Sequence, residues 1–318
     1  MKRILKISGI IAILLVVVLL AGYLFISIRG IPSYKVESVD YQHVSTPENI
    51  ERGKKLAMML CVNCHRSPET GSLTGTRMLD APPEFGTIYS LNITQDKQYG
   101  IGEWTDGELV YLLRTGIKKD GKYSPIYMPK FPHMADEDIN AIISFLRSDD
   151  ELVKASAVAD RPSDPSFLTK FLCTVAFKPL PMPTQKIELP DMSDKLSAGR
   201  YLAVNLECYS CHSGDFKKVN IMEPELSEKY FGGGNILLTK EGKEILSQNL
   251  TPDQTGIADW PEEKFVKALK YAYKEGETGL RYPMMPYPYL TDEEASAIYH
   301  YLKSIKPISN EIGRSSLE

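Results

Sequence analysis

The sequence predicts a mainly α protein with two tandem copies of one helical domain behind an N-terminal transmembrane helix. Three observations carry this. Ile7 to Ile28 runs for 22 residues without a charge, between a basic start (Lys2, Arg3, Lys6) and Arg29. As a helix it is about 33 Å long, enough to cross the hydrocarbon core. Second, the chain repeats itself at an offset of 156 or 157 residues. Third, Cys61-Val62-Asn63-Cys64-His65 and Cys208-Tyr209-Ser210-Cys211-His212 take four of the five cysteines and two of the five histidines.

The repeat sets the organisation. Ile88–Thr94 matches Ile245–Thr251, and Gly100–Trp104 matches Gly256–Trp260. Tyr127-Met128-Pro129 matches Met284-Met285-Pro286, and Phe145–Ser148 matches Tyr301–Ser304. Each half therefore reads Cys-x-x-Cys-His, Asn-x-Thr, Gly-x-x-x-Trp, Met-Pro, closing helix. The expected organisation is an anchor over 7–28, domain 1 over 45–148, a linker over 149–190 and domain 2 over 191–306. The Ser, Asp and Pro of the middle stretch suit a linker.

Local signals place the helices. Thr46 followed by Pro47 caps a helix leading to Cys61, with Gly53 where a close helix crossing can form. Ser193 and Gly199 are expected to play the same parts before Cys208. Thr105-x-x-Glu108 is a capping box for a helix through Leu113, and Pro261 opens its counterpart. Asp136–Arg147 turns Ile139, Ile142, Ile143 and Leu146 inward. Its counterpart starts at the capping box Thr291-x-x-Glu294 and turns Ala295, Ile298, Tyr299 and Leu302 inward. Gly232-Gly233-Gly234 is expected to mark a loop inserted in the second half.

The repeated Cys-x-x-Cys-His points to two covalently bound haem c groups. The thiols of Cys61 and Cys64, and of Cys208 and Cys211, are placed to form thioethers, and His65 and His212 to ligate iron. Zinc would want a further Cys or His pair near each motif, and neither has one. The opposite axial position is assigned to Met128 and Met285, each before a Pro that stiffens the loop. His133 and Met134 rival Met128, and Met284 rivals Met285. Trp104 and Trp260, the only tryptophans, are candidates for propionate contacts through the indole N–H, or for packing at the haem edge. Asn92 and Asn249 are expected to hold a loop through side chain to backbone bonds. Cys173 reads as a small buried hydrophobe. His43 and His300 are given no role in ligation.

The string Asn92-Ile93-Thr94, Gly100–Asp106, Met128-Pro129, with its second copy Asn249–Asp253, Gly256-Ile257, Met285-Pro286-Tyr287, resembles the cytochrome c subunits of membrane-bound alcohol, aldehyde and gluconate dehydrogenases. The resemblance covers about residues 45–148 and 194–305. It implies class I cytochrome c domains, His/Met haems, and electron relay between a dehydrogenase or quinone and a downstream acceptor. Those subunits commonly carry three haems, and this chain has two motifs.

These readings describe a single-pass electron carrier and no enzyme. The basic start keeps the N-terminus cytoplasmic and sends the haem domains to the periplasmic side. A cleaved signal peptide is the rival, but no Ala-x-Ala site lies near Ala21-Gly22. The expected partners are the membrane and a redox protein: a dehydrogenase, a quinone-linked complex or an oxidase. The net charge of −4 excludes a basic nucleic-acid surface, and no small-molecule substrate is expected. A di-haem peroxidase, which needs one iron open, and a cytochrome c subunit of a terminal oxidase are the alternatives.

Overall fold

The computed structural model describes residues 2–79, 81–239, 241–273, 280 and 282–313. Met1 and the side chain of Lys2 lie outside them. In chain order the helices are α1 (Lys2–Arg29), α2 (Pro47–Leu60), α3 (Val62–His65), α4 (Asp106–Thr115) and α5 (Asp136–Leu146), then α6 (Phe167–Val175). There follow α7 (Lys195–Asn205), α8 (Cys208–His212), α9 (Glu262–Tyr271) and α10 (Asp292–Ser304). Short antiparallel pairs join β1 (Gly86–Thr87) to β2 (Asp164–Pro165), and β3 (Ile236–Leu238) to β4 (Glu244–Leu246).

Helix α1 is uncharged from Ile7 to Ile28, and none of its central side chains is buried by protein. It is the one described helix long and apolar enough to cross a membrane. The chain leaving it is clamped to the first half: Tyr34 N donates to Gly121 O (2.8 Å) and Tyr123 N to Pro32 O (3.3 Å). Further on, the His43 ring meets Asp106 at 2.7 Å and Asn140 Oδ1 accepts from Val44 N at 2.8 Å.

Each half is built on one crossing of its first and last helices, α2 with α5 and α7 with α10. Glycine makes the approach possible. A Cβ at Gly53 would lie 1.8 Å from Ala141 O, and one at Gly199 would lie 2.0 Å from Ala297 O. The inward faces of α5 and α10 follow the sequence: Ile139, Ile142, Ile143 and Leu146, then Ala295, Ile298 and Leu302, are buried, while Tyr299 is half-buried. Thr46 caps α2, and both capping boxes form.

Three features differ from the expectation. Asp194, not Ser193, caps α7, because its carboxylate accepts from Ser197 N at 2.9 Å while Ser193 bonds Asp191. The extra residues of the second half precede the glycine run rather than forming it. Gly75 N donates to His65 O, and Gly233 N, the equivalent group, donates to His212 O. The added length therefore falls between His212 and Gly233. The third feature is α6, a helix in the stretch read mainly as linker. Ser166 caps it, accepting from Thr169 N at 3.2 Å.

The halves pack through a pseudo-twofold contact and share one apolar cluster. Two residues past Gly199, Tyr201 reaches the start of α5. Its hydroxyl donates to Asp138 Oδ2 (2.5 Å) and accepts from Ala135 N (3.0 Å). Two residues past Gly53, Lys55 reaches the equivalent point of α10 and pairs with Glu294 at 2.5 Å. The same two positions thus exchange contacts, as in an isologous dimer joined in one chain. Arg52 also bonds Asp138, and burial raises the Tyr201 pKa, so the hydroxyl stays a donor.

The crossing and the interface can be tested by substitution. Gly199→Ala should cost about 1–3 kcal/mol by overpacking, lowering the thermal midpoint, while Gly313→Ala, which meets nothing within 4 Å, should be neutral. Tyr201→Phe strands Ala135 N–H and takes the donor from Asp138 Oδ2, and should cost about 1–3 kcal/mol in chemical denaturation.

Candidate functional site

In each half the Cys-x-x-Cys-His motif is a single helical turn following the first long helix. Cys61 ends α2 and starts α3, with His65 N bonded to Cys61 O at 2.8 Å. In the second half Glu207 takes a left-handed φ of 60° and α8 then carries Cys208 to His212. This turn puts both sulfurs and the imidazole on one short piece of backbone.

A main-chain carbonyl orients each imidazole. His65 Nδ1 donates to Leu91 O at 2.7 Å, and His212 Nδ1 to Gln248 O at 2.9 Å. A carbonyl can only accept, so Nδ1 carries the proton and Nε2 keeps its lone pair. Burial lowers both imidazole pKa values, more than the carbonyl bonds raise them. Both rings are half-buried and keep accessible surface. A neutral imidazole with Nε2 available is the form that ligates a metal, and such a bond to its other nitrogen is the usual way to orient it.

The loop that supplies the carbonyl is pinned equally in both halves. Ile93 N donates to Leu73 O and Leu250 N to Phe231 O, with Leu73 and Phe231 fully buried. Gly75 (φ +85°) and Gly233 (φ +70°) turn the chain where a Cβ would meet Ser90 O at 2.3 Å or Ser247 O at 2.6 Å. Asn92 Oδ1 accepts from Thr94 N and Oγ1, and Asn249 Oδ1 from Thr251 N and Oγ1, at 2.7–2.9 Å in both. The Asn92 amide reaches Ser156 O and Val158 O, and that of Asn249 reaches Ile308 O and Thr255 Oγ1. Asn-x-Thr therefore ties the loop to the chain leaving each domain.

The Met-Pro loops hang from the middle helices. Phe131 N donates to Leu113 O in the first half, and Tyr287 N to Leu269 O in the second. Met128 is half-buried against the core and its sulfur accepts from Ser124 Oγ at 3.3 Å. Met284 packs against the core, while Met285 is 37% exposed. His133 bonds Ile221 O at 2.9 Å, and Met134 is fully buried. Trp104 and Trp260 are half-buried against the core, with Lys119 and Lys264 over their rings at 5.6 and 4.5 Å. His43 pairs with Asp106 and His300 with Glu262. Cys173 is buried, which pushes its thiol pKa up to about 11.

Two repeated pairs of cations went unread in the sequence. Arg114, fully buried at the end of α4, donates to Phe131 O, Met134 O and Asp136, bracing the loop beyond Met128. Lys270 in α9 makes the matching bond to Asp292. Arg147 bonds Ile101 O and Trp104 O, and Lys303 bonds Ile257 O and Ala258 O, fixing the Gly-x-x-x-Trp loops. Their shared offset of 156 residues was the available signal.

The donor set in each half, two thiols and one imidazole with its proton held on Nδ1, fits a covalently attached haem. Among the described residues no group of three or more His, Cys, Asp or Glu is arranged to hold a bare metal ion. The cytochrome c family model matches residues 50–149 and 196–306, more than half of the chain, and the protein belongs to that family. Its two matched regions carry two haem c groups. The chain is 27% identical, over 78% of its length and 54% of the relative's, to the cytochrome c subunit of the quinone alcohol dehydrogenase of Gluconacetobacter polyoxogenes. It is 28% identical to the gluconate 2-dehydrogenase cytochrome c subunit of Pantoea cypripedii, over 80% of the chain and 59% of the relative. With a di-haem c-type cytochrome of Cereibacter sphaeroides it shares 26% identity, over 78% of the chain and 82% of the relative. The chain spans about half the length of the dehydrogenase subunits.

Asn249→Ala should cost about 1–3 kcal/mol by leaving the buried Thr251 amide without its acceptor and removing the amide bond to Ile308 O. Hydrogen exchange should quicken at Thr251 while the amides of α7 stay protected.

Proposed function

We propose that the protein is a membrane-anchored electron relay, non-catalytic itself, with its haem domains on the periplasmic side of the cell membrane. Its donor would be a dehydrogenase or the quinone pool, and its acceptor a further redox protein. The observation that carries this reading is the duplicated clamp. In both halves an imidazole has its Nδ1 proton held by a carbonyl, beside two cysteines, in a domain that also offers a Met-Pro loop. The named dehydrogenase subunits among its relatives support the choice of partner.

In this reading Cys61, Cys64, Cys208 and Cys211 would form the thioethers, and Nε2 of His65 and of His212 would ligate iron. Haem, when bound, supplies the one-electron chemistry. Leu91 O and Gln248 O hold the imidazoles and raise their basicity. Met128 and Met285 would each offer a thioether sulfur to the iron, which would keep small molecules off it and raise its potential. Arg114 braces the first methionine loop through Phe131 O and Met134 O, Lys270 ties α9 to Asp292 beyond the second, and the apolar cores exclude water. A Met-Pro loop in each half disfavours a peroxidase, which would need one iron open.

One observation favours a second reading for the second methionine. Met128 stands three residues before Phe131, whose amide bonds the middle helix, and Met284 stands three before the equivalent Tyr287. Met284 also packs on the core while Met285 is more exposed. The Met-Pro pair favours Met285, and the hydrogen-bond register favours Met284.

A pyridine haemochrome assay should find two haems per chain that resist acid-acetone extraction, and one or none would refute the assignment. Met128→Ala and Met285→Ala should each halve the near-infrared band of the sulfur–ferric bond. If Met284→Ala does so instead, the register reading is right. Mild solubilisation of native membranes should bring a dehydrogenase with the protein. Recovery with a terminal oxidase would move it to that complex.

A further inference from the structure

Helix α6 stands in neither cytochrome domain, yet it is shaped and held. Thr169 and Cys173 face the protein, 2% and 0% exposed, and Thr169 Oγ1 donates to Phe85 O at 2.9 Å. The other side presents Phe167, Leu168, Phe171 and Val175, between 37% and 55% exposed. Leu168, Phe171 and Val175 follow helical spacing, with Phe167 beside them, so they form one apolar stripe. A small helix in water gains nothing from such a stripe; a covered surface explains it.

The position of α6 names the cover. It packs against α1, and the rings of Tyr23 and Phe167 lie with centroids 4.6 Å apart. Phe167 in turn stacks with Phe171 at 6.1 Å. Tyr23 precedes Arg29, the last residue of α1, by six residues, which is about 9 Å along a helix axis. Interfacial helices bury their apolar face about 5–10 Å into the headgroup and acyl boundary. The contact with α1 therefore puts α6 at the depth that such helices occupy. The aromatic cluster Tyr23, Phe167 and Phe171 suits the same zone, where rings are enriched.

Charge agrees. From Phe167 to Lys178 the chain has two lysines, Lys170 and Lys178, and no acidic residue. Long basic side chains can lay their stems on apolar surface and keep the ammonium among headgroups. The geometry is also fixed and not tethered loosely, because Pro32 and Tyr34 bond the segment Gly121–Tyr123 directly after α1. Tyr34 meets Tyr123 edge-on at 6.1 Å. An anchor held this way sets the height and tilt of the first domain above the bilayer.

We propose that α6 is a second membrane contact: its stripe of Phe167, Leu168, Phe171 and Val175 lies in the outer boundary of the bilayer beside the anchor. The first haem domain is then seated on the lipid surface and not free to swing on a stalk. This rests on α1 spanning the membrane, and the test separates the two claims.

Nitroxide labels would be placed singly at Leu168→Cys, Val175→Cys, Leu15→Cys in α1 and Leu196→Cys, an exposed site at the start of α7. The full haem-loaded chain would be reconstituted in nanodiscs of phosphatidylethanolamine and phosphatidylglycerol. Accessibility to oxygen, which favours lipid, is compared with that to a water-soluble nickel chelate. Labels at 168 and 175 should show an oxygen-to-nickel ratio several-fold above that at 196 and close to that at 15. Two label sites guard against one variant failing to load haem. If 168 and 175 behave like 196 while 15 stays in lipid, the proposal is overturned, the anchor stands, and the stripe is left for a protein partner. If 15 is also open to nickel, the anchor reading fails and the proposal falls with it.

Discussion

The bond from each motif imidazole to a main-chain carbonyl is the constraint on which the rest of the structure depends. A single helical turn can present Cys, Cys and His together, but it leaves the ring free to rotate. The carbonyls of Leu91 and Gln248 stop that rotation and settle which nitrogen holds the proton. To deliver a carbonyl there, a loop must return to the motif with its backbone satisfied. Gly75 and Gly233 turn it, buried Leu73 and Phe231 accept from it, and Asn92 and Asn249 tie it to the exiting chain. The close crossing of first and last helices at Gly53 and Gly199 frames each half around this loop.

The duplicated chain uses the same surface twice. Tyr201 and Lys55, at equivalent positions on the first helices, reach equivalent points on the closing helices of the other half. The contacts are not alike in energy. Tyr201 is buried and satisfies a helix N-terminal amide, so its loss leaves polar groups without partners. Lys55 and Glu294 are half-buried, and their pair is worth less after screening. The interface also orders the segment between domains, since Asp136 N donates to Ile187 O.

Much of this was legible in the sequence because it is local or repeated. Thr46, Thr105 and Thr291 cap helices by rules that act over four residues, and the burial of Ile139, Ile142, Ile143 and Leu146 follows from period alone. Gly53 and Gly199 stood out because a glycine inside a helix needs a reason. The displaced cap at Asp194 shows the limit, since Ser193 and Asp194 are both good caps and only the geometry of the turn at Asp191 separates them. Arg114 and Arg147 were hidden because a basic residue ending a helix normally serves the macrodipole at the surface. The Tyr201 contact and the burial of one face of α6 depend on how distant segments dock, which no local pattern encodes. The sequence favours Met285 by its Met-Pro match to Met128, while the hydrogen-bond register, visible only in the fold, aligns Met128 with Met284.

An experimental map of the haem-loaded protein in nanodiscs tests the central claim most directly, through the atoms that bind each iron. The account predicts Nε2 of His65 and of His212 on the irons, with Nδ1 still held by Leu91 O and Gln248 O, and a sulfur from each Met-Pro loop opposite. An iron bound through Nδ1, or one with its opposite position open or filled by a second histidine, would contradict it.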